Sequence, residues 1–197
     1  NNNEANSLVD WIHPDSTFTN VSSTSFTAFE GFTGDGSADY INTNRNLSTE
    51  ASTFTQDDAS FGVYVRTDVD EMGAVIGAED GTIDIMLHPN SGGSAYYKIN
   101  CNGLESGTVT TSEGLFIVTR RGASEEEEYQ GGSPIDDGYQ SSTGVPDTDL
   151  LILTDGSDFS TNQVAIWFWM DGVSDAEADH LNDIFEWYMD AMGKGVQ

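Results

Sequence analysis

The sequence predicts an all-β sandwich closed by one C-terminal helix. Three observations carry this: glycine is frequent, at 21 residues, while proline is scarce, at 4; short apolar stretches alternate with period two; and one stretch near the C-terminus has helical periodicity. With 197 residues, the chain falls within a single large domain, since one core remains efficient up to roughly 250 residues.

Residues 1 to 24 are polar and rich in Asn, Ser and Thr, with Trp11, Ile12 and Phe18 as apolar anchors. They read as an arm on the body or a linker to a neighbour, leaving 25 to 197 as the sandwich. Strand signals begin near Phe26. Phe61, Val63 and Val65 share one face of a strand, and Ile83, Ile85 and Leu87 repeat the pattern after the turn Glu79-Asp80-Gly81. Further strands are expected over 95–100, 115–120, 150–154 and 163–170. In the last, Val164, Ile166 and Phe168 form one apolar face and Ala165, Trp167 and Trp169 the other, so the strand should be central and covered on both sides. The segment 121–149, with its run Glu125 to Glu128, reads as a hairpin with long exposed loops.

The helix spans about 174–192. Ser174 and Glu177 form a capping box and Gly193 a natural stop. Leu181, Ile184, Phe185, Tyr188 and Met192 fall on its apolar face, with Asp175, Asp179, Asp183, Glu186 and Asp190 opposite. Like charges at this spacing repel in low salt.

Charge narrows the function. Thirty-four acidic and six basic residues leave a formal net charge of −28, which repels nucleic acid and anionic membrane alike. The Debye length shrinks to about 3 Å at 1 M salt, so the composition suits a high-salt habitat, with an ordinary acidic extracellular protein as the alternative. Cys101 stands alone and lacks an activating neighbour. No run approaches the ~18 apolar residues of a membrane span, the N-terminus lacks signal-peptide character, and the missing initiating Met is expected of a processed or partial chain.

Catalytic patterns are weak. A glycosidase needs two carboxylates across a cleft; Asp84 stands alone on its strand, and Asp68, Asp70 and Glu71 read as a turn. His13 and His88 precede prolines, as loop residues do, and His180 flanks the helix stripe. Calcium is the one cofactor the sequence suggests, because clustered loop carboxylates are its ligands: Asp155 with Asp158, and Asp35 with Asp39. Among 34 acids such pairs also arise by chance. For a carbohydrate ligand, the candidates are Tyr96, Tyr97 and Asn100, with Tyr129 and Tyr139. Adjacent on a strand, Tyr96 and Tyr97 must point to opposite faces.

The stretch Gly31-Phe32-Thr33-Gly34-Asp35-Gly36-Ser37-Ala38-Asp39-Tyr40-Ile41-Asn42-Thr43 resembles the early strand and turn of laminin-G-like, concanavalin A-like jelly rolls, especially those of tailed-phage virion proteins. The run 56–67, the strand 114–120 and the helix start 172–177 are similar to that group in the same order. The resemblance implies a two-sheet antiparallel jelly roll used in tails, fibres or head decorations for adhesion or assembly, as an oligomer among other virion subunits. It supplies no catalytic residue, and the acids at 125–128 depart from the neutral hairpin such chains carry. The expected function is a non-enzymatic virion surface protein of a virus of a halophilic host, at the virion surface or outside the cell, contacting host glycan. The alternatives are a secreted or cell-surface lectin of a halophile and, third, a polysaccharide hydrolase.

Overall fold

The computed structural model describes residues 3–50 and 53–197. Its helices are α1 (Glu4–Ser7), α2 (Leu47–Glu50) and α3 (Asp175–Ala191). The strands are β1 (Thr19–Val21), β2 (Ser25–Thr27), β3 (Gly31–Thr33), β4 (Tyr40–Asn46), β5 (Ala59–Val65), β6 (Ile76–Glu79) and β7 (Asp84–Ser91), then β8 (Ser94–Cys101), β9 (Glu105–Thr108), β10 (Gly114–Gly122), β11 (Glu125–Gln130), β12 (Ser133–Gly138), β13 (Asp149–Ile152) and β14 (Gln163–Met170). They form two antiparallel sheets, ordered β1-β4-β13-β6-β7-β8-β9 and β12-β11-β10-β5-β14-β3-β2. This is the expected all-β sandwich, with its single long helix at the C-terminal end.

Period-two alternation builds the core between the sheets. Ile76, Ile85, Leu87 and Ile99 of the first sheet meet Phe61, Val63, Phe116 and Val118 of the second, all fully buried. A second apolar layer lies on the outer face of the second sheet, where Tyr64, Leu115 and Ile117 pack under Ala178 and Met189 of α3. Strand β14 is thus covered twice, as its two apolar faces require, and the Phe168 ring stacks on Phe185 with centroids 5.5 Å apart.

The two faces of β14 differ from the simple alternation. Val164 pairs with Val65 and Ile166 with Tyr64, so Ala165 is an extra residue in a β-bulge. Beyond it the parity flips: Val164, Trp167 and Trp169 face the inter-sheet core, while Ile166, Phe168 and Met170 face the helix. The apolar stripe of α3 is also rotated from the expected one. Ala178, Leu181, Phe185, Tyr188 and Met189 pack inward, while Ile184 and Met192 are exposed. Glu186, placed by periodicity on the solvated face, is half-buried beside Tyr64, and burial raises its pKa. The capping box of Ser174 and Glu177 is present, and Gly193 ends the helix at φ +66°.

Part of the N-terminal segment belongs to the body. β1 pairs with β4 at the edge of the first sheet, and Phe18 lies against Trp167 at 5.8 Å between centroids. Trp11 and Ile12, expected as anchors, are exposed. The segment 121–149, expected as a hairpin with long exposed loops, holds the hairpin β11–β12, which is bulged between Glu128 and Tyr129 and whose Glu126 and Glu128 are buried.

Candidate functional site

The outer face of the first sheet carries the polar convergence of interest. Along β6, β7 and β8, Ile76, Ala78, Ile85, Leu87, Tyr97 and Ile99 enter the core. Alternation therefore turns Gly77, Glu79, Asp84, Met86, His88, Tyr96 and Lys98 outward. Register sets His88 directly opposite Tyr96 and Met86 opposite Lys98. The loop after β13 folds over this face because Gly77 has no side chain: a Cβ there would lie 2.5 Å from the Cβ of Asp155. The result is a shallow cleft of about 230 Å³ lined by Glu79, Asp84, Met86, Lys98, Asp155 and Asp158.

Within it, Lys98 Nζ donates to Asp84 Oδ2 at 2.6 Å. Asp155 Oδ1 accepts the backbone N–H groups of Ser157 and Asp158 at 2.9 and 2.8 Å. Burial pushes the Asp155 carboxyl up, but the nearby His88 imidazole and those N–H groups outweigh it and hold the pKa at about 2. The remaining oxygen, Oδ2, stands 3.9 Å from His88 Nε2.

The sequence-predicted ligand residues separate. Tyr96 is half-buried on the outer face and Tyr139 is 76% exposed at the other end of the molecule's hairpin edge, after β12. Tyr97, Tyr129 and Asn100, also expected as ligand contacts, are fully buried and tie parts of the fold together. Tyr97 donates its hydroxyl to Asp136 at 2.9 Å, Tyr129 to Asp175 at 3.0 Å, and the Asn100 amide to the carbonyls of Thr55 and Gln56. In each, the polar tip reaches a partner that the strand pattern alone does not reveal.

The two carboxylate pairs also part company. Asp35 closes its own turn, accepting the Ser37 hydroxyl and the N–H groups of Ser37, Ala38 and Asp39, and these hydrogen bonds, the hydroxyl's foremost, hold its pKa far below the usual range. Among the described residues no third metal-type ligand joins Asp35 and Asp39, whereas His88 joins Asp155 and Asp158. The sequence reading took His88 for a loop residue before Pro89. It lies within β7 instead, and the outward positions 84, 86 and 88 opposite inward Ile85 and Leu87 were the signal that could have found it.

The carboxylates weighed for hydrolysis are engaged elsewhere. Asp68 accepts the Ser112 N–H at 3.0 Å, Asp70 that of Gly92 at 2.7 Å, and Glu71 anchors Ser160 and Thr161 at 2.7 Å each. In the cleft Asp84 accepts the Lys98 ammonium, and the Asp155 carboxyl is held well below the usual range.

No protein-family model matches the chain, and no curated protein matches it. Among solved structures, it is similar to the binding domain of Paraclostridial Mosquitocidal Protein 1 (TM-score 0.58, 12% identity, 90% of this chain and 49% of that one). It is also similar to a chain of botulinum neurotoxin type C, a toxin whose cell entry is dependent upon interaction with two ganglioside molecules (TM-score 0.65, 10% identity, 93% and 50%). A third is domain 4 of AbnA, a GH43 extracellular arabinanase from Geobacillus stearothermophilus, in complex with arabinotriose (TM-score 0.60, 12% identity, 90% and 93%). The chain spans about half the length of the first two. At these identities the likeness is one of fold, a jelly-roll β-sandwich.

Proposed function

We propose that the protein is a non-catalytic binding module whose ligand is a saccharide, held on the outer face of the first sheet. The observation that carries this is the cleft where Lys98, Asp84, Glu79 and the Asp155–Asp158 turn converge, with half-buried Tyr96 on the same face. An outward aromatic beside fixed hydrogen-bonding groups is the composition that sugars require, one face stacking and the hydroxyls bonding. The ganglioside-dependent neurotoxin and the arabinotriose-bound AbnA domain, of the same fold, support a saccharide over other ligands.

The finer setting we propose is a fibre, decoration or receptor-binding component on the virion of a virus of a halophilic host, working as an oligomer outside the cell. It is supported by the resemblance over residues 31–43 and by the net charge of −28. The arabinotriose-bound domain of the extracellular AbnA favours the second reading, a secreted or cell-surface lectin. Binding to an array of microbial surface glycans in molar salt tests the module itself. Saturable binding competed by free sugar, and lost in Tyr96→Ala and Lys98→Ala, is expected; absence of binding by folded protein, or binding indifferent to both substitutions, would overturn it.

A further inference from the structure

His88 is 1% exposed, yet neither of its ring nitrogens has a hydrogen-bond partner. Leaving a buried polar group unsatisfied is costly, and the aliphatic or aromatic residue that would avoid that cost is absent from this outward position of β7. Nε2 faces Asp155 Oδ2 across 3.9 Å, too far for a hydrogen bond but a separation that two ligands of one ion can keep. Asp158 completes the group, with one ligand atom from each of the three residues within 4.8 Å of the others.

Local structure prepares these atoms. The turn consumes Asp155 Oδ1 through the N–H groups of Ser157 and Asp158, which leaves Oδ2 directed at the ring. Gly77 lets the loop descend far enough for the approach. Asp158 is exposed, so it can swing inward at little cost.

We propose that His88 Nε2, Asp155 Oδ2 and an Asp158 carboxylate oxygen bind one divalent transition-metal ion of the zinc class, with water completing its shell. The donor set selects the ion. Calcium collects six to eight oxygens, whereas an imidazole with two carboxylates suits zinc. With bonds of about 2.0–2.2 Å, two ligands of a tetrahedral zinc lie roughly 3.4 Å apart, so the His88–Asp155 pair at 3.9 Å closes by about half an ångström on binding, and the inward swing of Asp158 supplies the third ligand. The ion would give the orphaned nitrogen its partner and lock the 153–162 loop onto the sheet. This puts a zinc-class ion where calcium was expected, at Asp155 and Asp158; both residues also line the cleft of the saccharide reading, so the titration is run without sugar and its failure is distinct from the failure of that reading.

The test is calorimetric titration of the chelator-stripped full chain with Zn²⁺ in molar salt, alongside Co²⁺ as a visible-absorption probe. A single saturable Zn²⁺ site is expected, not displaced by a hundredfold excess of Ca²⁺, together with a cobalt ligand-field band that carries a nitrogen signature. Asp158→Asn, at an exposed position, keeps the fold and should weaken binding at least about tenfold; His88→Gln should abolish the band. Absence of a saturable site, equal competition by Ca²⁺, or Zn²⁺ affinity unchanged in Asp158→Asn would overturn the proposal and leave an ordinary buried His–Asp pair.

Discussion

Arg120 and Glu126, directly opposite one another on β10 and β11, form an ion pair at 2.5 Å in which neither side chain reaches solvent. The same guanidinium donates through Nε to the Ile99 carbonyl of the other sheet at 3.0 Å and through Nη1 to that of Gln140 at 2.9 Å. One buried cation thus ties the two sheets and the chain after β12 together. A buried pair adds little net stability over an apolar substitute, but breaking one half costs about 3–5 kcal/mol, because the other charge is left stranded. Arg120→Met should lose stability on that scale in guanidinium unfolding. The double variant Arg120→Met/Glu126→Leu should recover more than half of the loss; a double variant no better than the single would refute this account.

Glu128 is fully buried and lies opposite Asp136. Burial first, and then the Asp136 charge, push its pKa well above the ordinary 4.5. Its contribution to stability is therefore complete below about 4.5 and is lost as pH rises through the raised value. Glu126, Asp136 and Glu186 are shifted in the same direction, each chiefly by burial. Asp80 and Asp155 are held near 2, so what they contribute disappears only in stronger acid, as pH falls from about 3.8. The melting temperature should peak in mild acid and decline toward pH 8. In Glu128→Gln that decline should shrink by at least about 2–4 °C, the worth of 1 kcal/mol in a chain of this size; an undiminished decline would show Glu128 to be ionised without strain.

The seat of α3 can be tested by a contrast between two aromatic residues. Phe185 packs on Phe168, whereas Trp187 is 72% exposed. Phe185→Ala should destabilise by about 2–3 kcal/mol, below the usual range for a core phenylalanine because the ring is only half-buried. Trp187→Ala should stay within about 0.5 kcal/mol, as exposed substitutions do. Equal losses in the two would place the helix in a different rotation.

Salt should stabilise this protein. Acids on α3 recur at three- and four-residue spacing, and six basic residues offset only a small part of the total charge. Repulsion among exposed carboxylates is long-ranged in dilute buffer and nearly extinguished at 1 M, where the Debye length is about 3 Å. Thermal unfolding should therefore move upward by several degrees between about 0.05 and 1 M NaCl. A flat or falling response would remove the main support for a saline habitat.

Where one face of a segment is apolar and the other polar, local pattern sufficed. Phe61, Val63 and Val65, the inward Ile85 and Leu87, and the capping box at Ser174 all have the roles that spacing assigns them. Spacing failed where both faces are apolar or where an extra residue enters the ladder. The bulge at Ala165 has no composition of its own, since any small residue fits, and it reverses every face after it. Tyr97 enters the core in phase with Ala95 and Ile99, but that its hydroxyl is met there by Asp136, thirty-nine residues further along, is stated by no local pattern.

The sequence by itself determined the class of fold, most strand positions, the start and end of the long helix, and the acidic surface, because these follow from local periodicity, capping and charge count. Only the tertiary structure decided that Glu126 meets a buried Arg120, that Glu128 is fully buried, and that His88 joins Asp155 and Asp158. Those facts are set by contacts between strands distant in sequence. A polar side chain's role depends on the partner opposite it, and a strand pattern states which way a residue points without stating what waits there.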